Sequence, residues 1–206
     1  MKNKVSLSIT MSLLLFQFCF VTGKSQSKEF GIVLSNNITS LPVTTYSKLF
    51  YSQFHPGMEG YLSKKLNQSE KNHIIVKGNL GFYYHRFIQT SIWIYPSINY
   101  ERSVTKRFLI GAGLGFGYAY SIEDGDVFIL NDDSIYEKKS VISGRSQFIG
   151  QLELGGSYSL IKERTYGLKL HISLKSYLQG IYVKNYVPII PINSLLIGLS
   201  IPLKSK

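Results

Sequence analysis

The chain is poor in cysteine, histidine and acid: one Cys, four His, and 12 Asp and Glu set against 23 Lys and Arg. The single cysteine, Cys19, lies in an apolar stretch near the N-terminus, so the chain beyond it offers neither disulfides nor thiolate chemistry. Beyond that stretch no uninterrupted apolar run reaches the roughly 18 residues that a membrane-spanning helix needs. The nearest, Val187 to Leu203, is broken by Pro188, Pro191, Asn193, Ser194 and Pro202, which excludes a helical membrane protein. Charged residues make only 17% of the chain against 44% hydrophobic ones, with a mean hydropathy of +0.04. That balance excludes a disordered polyelectrolyte.

What is present begins with a leader. Lys2 and Lys4 precede an apolar stretch from Val5 to Phe20, followed by Val21-Thr-Gly23 and the polar Lys24-Ser-Gln-Ser27. Residues 1–23 therefore read as a secretory signal peptide, residues 24–29 as a short linker and residues 30–206 as one domain. Cys19 follows Phe18 rather than a small residue, which argues against lipidation. Losing Lys2 and Lys4 takes the formal charge from +11 to +9 (11 minus 2).

The remaining texture is 15 Tyr, 12 Phe and 18 Gly, which favours short strands over long helices. Period two beats period 3.6 along most of the chain. From Asn72 to Arg86 the even positions carry Ile74, Val76, Leu80, Phe82 and Tyr84, and the odd ones His73, Lys77, Asn79 and His85. Phe108 to Tyr120 sets large apolar residues against Gly111, Gly113, Gly115 and Gly117. Gln147 to Leu160 and Tyr166 to Leu178 alternate likewise. Phe30 to Asn36, Pro56 to Leu66, Ser91 to Arg102 and Ile192 to Leu203 bring the total to about eight strands.

The connections alternate too. Residues 67–71, 103–106 and 161–164 form tight links, whereas 37–55, 121–146 and 180–191 are long; 87–90 is the short exception. An even number of antiparallel strands, short turns at one end and longer loops at the other is the pattern of a transmembrane barrel. The expected fold is therefore all-β: a closed antiparallel up-and-down transmembrane β-barrel. Closure satisfies every backbone group in lipid. Aromatic residues fall at both ends of the apolar face, with Tyr100, Phe108, Tyr158 and Tyr166 near the short turns and Tyr84, Tyr118, Tyr120 and Phe148 near the long loops. Leu114 and Leu170 are expected at mid-depth.

Several strings carry a family resemblance: His55-Pro-Gly57 opening a strand, Phe82-Tyr-Tyr-His-Arg-Phe87, Gly111-Ala-Gly-Leu-Gly-Phe-Gly117, and Val187-Pro-Ile-Ile-Pro-Ile-Asn-Ser-Leu195. With these, residues 30–203 resemble the eight-stranded outer-membrane β-barrels of the Bacteroidetes type, small barrels similar to OmpA and OmpX. The resemblance implies an outer-membrane location and the barrel fold, and it brings no catalytic residues. One departure is the end Leu203-Lys-Ser-Lys206, where many outer-membrane proteins carry a terminal aromatic.

The chemistry-bearing motifs read as structure. The alternating glycines lie within a strand, not between a strand and a helix, so they are no nucleotide loop; they leave one face bare beside bulky neighbours such as Trp93, Tyr83 or Tyr95. The basic surplus gathers at the short-turn end, which fits anionic lipid heads better than nucleic acid. Glu123, Asp124, Asp126, Asp132 and Asp133 lack cation-site spacing. No catalytic, cofactor or metal site is expected.

Inward positions instead supply charges of both signs: Glu59, Glu101 and Glu153 against Lys77, Lys169, Lys175 and His171. Hairpin geometry is expected to bring Glu153 near His171, with Lys169 or Lys175 on the diagonal, and Glu101 diagonal to Lys77. The function expected is a small integral outer-membrane protein in the cell outer membrane. It would be monomeric, in contact with outer-membrane lipids, without an open pore, and structural or surface-interacting through its loops, its protein partner at the surface or in the periplasm left open. The alternatives are a lipid-modifying enzyme with a lipid-facing Ser and His, and a secreted soluble barrel with an apolar lumen.

Overall fold

In the computed structural model, the structure describes residues 27–41, 46–86, 88–124, 128–130, 136–138, 144–161, 167–183 and 187–203. The expected signal peptide lies outside them, as does Tyr166. Eight long strands form the wall: β1 (Lys28–Thr39), β2 (Pro56–Lys65), β3 (Asn72–His85), β4 (Gln89–Ser103), β5 (Phe108–Glu123), β8 (Arg145–Ser159), β9 (Lys169–Val183) and β10 (Val187–Leu203). They close in the order β1-β10-β9-β8-β5-β4-β3-β2, every pair antiparallel. A separate hairpin, β6 (Phe128–Leu130) and β7 (Tyr136–Lys138), stands inside the β5–β8 connection.

The period-two pattern makes the wall two-faced. On β4, Ser91, Trp93, Tyr95, Ser97 and Asn99 are buried while Ile92, Ile94, Ile98 and Tyr100 are exposed. Leu114, Phe116 and Tyr118 on β5 and Ile197, Leu199 and Ile201 on β10 are exposed in the same way. The molecule is thus apolar outside and largely polar inside. A continuous exterior of this kind far exceeds the patch a water-soluble monomer tolerates and is matched by lipid.

Register fixes the tilt. A row of paired residues leaves β5 at Leu109, passes Ser157, His171, Gly198, Val33, Glu59, Gly81 and Trp93, and returns to β5 at Ala119, ten residues further on. A stagger of ten residues over eight strands inclines the strands by about 40° to the axis. Tyrosine hydroxyls are tied to polar groups at both ends of the wall. Tyr100 donates to Asn72 Oδ1 at 2.9 Å and Tyr158 accepts from Arg107 at 3.2 Å at the turn end; Tyr118 and Ser146 share a bond of 2.8 Å at the loop end.

Several boundaries differ from the sequence reading. Strand β1 starts at Lys28, inside the expected linker, because Lys28 and Glu29 pair with Leu203 and Pro202. The expected 180–191 loop is mostly strand, since β9 runs to Val183 and β10 begins at Val187. Pro188 and Pro191 are accommodated there because β1 pairs β10 only as far as Ile192, so the proline-bearing stretch has β9 alone as ladder partner and shifts register between Val187 and Ile189. The contrast in loop lengths is correspondingly weaker: two of the four loop-end links, 86–88 and 184–186, are short, and the turn-end link 160–168 is not tight.

Candidate functional site

The lumen collects most of the polar side chains that the alternation turns inward, and it is layered. At the turn end, Lys169 pairs with Glu29 at 2.5 Å, and Ser200 lies between His171 (2.7 Å) and Glu29 Oε2 (3.4 Å). His171 also stands edge-on to Tyr61, ring centroids 6.0 Å apart.

At mid-height, four of the expected charges form one chain. Lys175 pairs with Glu59 and lies 3.7 Å from Glu153, which meets Lys77 at 3.7 Å from across the lumen. Glu59 Oε2 further accepts from Tyr95 OH (2.7 Å), Trp93 Nε1 (3.1 Å) and Tyr177 OH (3.2 Å). An ionised carboxylate removed from water needs such a full set of donors and a cation. The three rings pack on one another and on Tyr83, closing the cross-section, with Trp93 5.2 Å from Tyr177 and 5.4 Å from Tyr83.

Above the rings lies an uncharged seal. Gln89 donates to Tyr83 OH (2.5 Å) and to Gln179 Oε1 (3.1 Å), and the Gln179 amide nitrogen reaches Ser121 Oγ (2.5 Å) and Gln147 Oε1 (2.6 Å). At the mouth His55 and His85 stack, ring centroids 3.6 Å apart and planes 11° from parallel.

The glycines of β5 do leave room, as expected, for Tyr95. A Cβ added at Gly115 would stand 2.8 Å from its ring and 2.9 Å from Gln151 Oε1. Trp93 instead occupies the space over Gly81. Below the rings lie a cavity of about 30 Å³ bounded by Lys77, Glu101, Glu153, Ser157 and His171 among others, and one of about 10 Å³ beside Tyr61. The first holds about one or two waters.

Two expected pairings differ in register. Glu153 lies directly opposite Lys175 in the ladder rather than beside His171, whose partner is Ser157, although Glu153 and His171 line the same cavity. The 160–168 connection is longer than the tight turn expected and slides β9 by four residues. Glu101 lies opposite His73, four residues from Lys77's partner Ser97, so it lines the larger cavity rather than sitting on Lys77's diagonal. The same slide places Leu170 near the turn end, opposite Tyr158, instead of at mid-depth. Glu29 was missed because it fell within the expected linker; an acidic residue in phase with Val33 and Ser35 was the available signal. Among the described residues, no group of three or more His, Cys, Asp or Glu gathers at metal-binding distance.

No protein-family model and no curated protein sequence matches the chain. Solved structures do. Neisserial surface protein A superposes with a TM-score of 0.51 at 12% identity, over 87% of this chain and 99% of that one. The outer-membrane enzyme PagL gives 0.47 at 14% identity over 85% and 99%, and Ail, the attachment invasion locus protein of Yersinia pestis, 0.42 at 11% over 86% and 97%. At these identities the likeness is one of fold. The chain has the closed, eight-stranded, up-and-down architecture of small transmembrane barrels.

Proposed function

We propose that the chain is an integral protein of the bacterial outer membrane: a sealed, non-enzymatic barrel that acts as a structural element or as a surface contact through its loop end. The observation that carries this reading is the inverted polarity of the wall. An exposed aliphatic exterior with tyrosines at both rims encloses a lumen blocked at mid-height by Trp93, Tyr95 and Tyr177 on Glu59. The turn end, with both ends of the strand series, faces the periplasm and the loop end faces outward.

The polar lumen supports this reading over a soluble carrier of apolar ligands, which would turn apolar side chains inward. Ser176, the outward serine that would be a candidate nucleophile, is buried and has its hydroxyl engaged by Tyr46 (2.5 Å) and Asn193 (2.6 Å). Membrane fractionation tests the reading. The chain is expected in the outer-membrane pellet, with unboiled and boiled samples running differently on a gel, and without stable channel currents in planar bilayers. Full solubility without detergent overturns the membrane assignment, and large steady currents overturn the sealed lumen.

A further inference from the structure

One stretch of the outward face breaks the apolar rule. A row of paired residues on that face runs Leu114, Leu152, Ser176, Asn193, Ile38. Leu114 and Leu152 are exposed, but the last three are buried, at 6%, 0% and 5%. Nothing in the wall itself covers them, since their side chains point away from the lumen. The cover is the β1–β2 connection, which descends over the outside of the barrel. Its 3-10 helix, Tyr46–Phe50, packs on β1 and β10.

The contacts are specific. Tyr46 OH meets Ser176 Oγ at 2.5 Å, and Ser176 donates to Asn193 Oδ1 at 2.6 Å. Asn193 Nδ2 donates to Ser40 O at 2.7 Å, and Asn36, also outward, donates to Leu49 O at 2.8 Å and accepts from His55 N at 3.0 Å. Two amides and a hydroxyl that would be costly against hydrocarbon are thereby satisfied. Having covered them, the connection turns large apolar side chains away from the barrel: Leu41, Phe50, Tyr51 and Phe54 are 68%, 74%, 72% and 66% exposed.

Depth says what these rings meet. With the strand tilt above, each step along a row from β5 toward β1 climbs about 3 Å toward the loop end, and each residue along a strand about 2.6 Å. Asn193 is three steps up the row from Leu114, itself four residues below Tyr118, so the two displacements cancel and Asn193 stands level with Tyr118. The connection is therefore seated at the height of the loop-end aromatic rim, on a surface continuous with the lipid-facing band.

We propose that residues 40–41 and 46–54 form a strap lying in the outer leaflet, with Leu41, Phe50, Tyr51 and Phe54 immersed among lipid at the acyl-headgroup boundary. This rests on the membrane reading above. It removes the first long connection from the external contact surface and makes it an in-plane anchor, joined to the wall by Tyr46, Asn36 and the Ser176–Asn193 pair.

Spin labelling tests it. In the full chain carrying Cys19→Ser, Phe50→Cys and Phe54→Cys each provide one labelling site, beside Ile98→Cys in the apolar band and Val104→Cys on a turn. Nitroxides are attached and the protein reconstituted in dioleoyl phosphatidylcholine vesicles. The ratio of oxygen to nickel-chelate collisions at positions 50 and 54 is expected to approach that at 98 and to exceed that at 104 several-fold. A water-like ratio at 50 and 54 with a lipid-like ratio at 98 overturns the strap and leaves the barrel standing. A water-like ratio at 98 overturns the membrane reading, and the strap with it.

Discussion

Glu153 and Lys175 face one another across the β8–β9 ladder, and their charged groups stand 3.7 Å apart inside the lumen. They are not each other's sole support. Lys175 also has Glu59, whereas the cation that depends on Glu153 is Lys77, its other neighbour at 3.7 Å.

Truncating Glu153 therefore isolates Lys77 more than Lys175. Glu153→Ala is expected to destabilise the barrel by about 3 to 5 kcal/mol, the usual cost of a buried charge left unpaired. In double-mutant cycles, Lys77→Ala is expected to couple to Glu153→Ala more strongly than Lys175→Ala does, by about 1 kcal/mol or more. Urea unfolding in lipid vesicles, followed by gel mobility, measures both cycles. Equal coupling would refute the order of dependence.

Facing and depth make a second test. Leu114 lies near the middle of β5 on the outward face, while Leu170 is the second residue of β9. Leu114→Arg is expected to cost about 2 to 4 kcal/mol and Leu170→Arg about 0 to 1 kcal/mol, since a charge near the interface reaches water. The same unfolding assay decides, and equal costs would reject the depth assignment.

The glycine stripe makes a third. Gly115→Val is expected to cost about 1 to 3 kcal/mol by overpacking against Tyr95 and Gln151. Adding Tyr95→Ala should recover part of that loss. Gly150→Ala, where an added Cβ meets nothing closer than 4.0 Å, is expected to be nearly neutral.

Orientation can be read from proteolysis. The β5–β8 connection, which contains the β6–β7 hairpin, joins its two strands at the loop end. Trypsin added to intact cells is expected to cut after Lys139, just beyond β7, and to spare the turn at Lys106. Protection of Lys139 until cells are opened, with cutting at Lys106, would invert the topology.

The strand alternation made the wall legible in the sequence, because a sheet with lipid on one side and polar side chains on the other must write period two into every strand. Register was not legible to the same degree. It depends on how many residues each connection absorbs, and a slide of four residues at 160–168 preserves every inward-outward assignment while changing every partner. That is why Glu153 was expected in the lumen with Lys175 on its diagonal, whereas the ladder sets the two directly opposite each other. Ser176 and Asn193 were illegible for another reason: they violate the lipid-facing pattern, and only a segment more than a hundred residues away, at Tyr46, makes them acceptable there. The β6–β7 hairpin left a trace, the apolar run Val127–Leu130 in a mostly polar loop, too short to outweigh its surroundings.

The seam between β1 and β10 has a consequence for assembly. Twelve residue pairs join the first wall strand to the last, from Lys28 with Leu203 to Thr39 with Ile192. No partial chain can make this ladder, and until it forms both β1 and the strand most recently added present a row of bare amides and carbonyls. In hydrocarbon those groups have no alternative partner. Insertion must therefore be coupled to the arrival of β10, and losing that strand would not yield a seven-stranded barrel but an open sheet with two reactive margins, prone to recruit other chains.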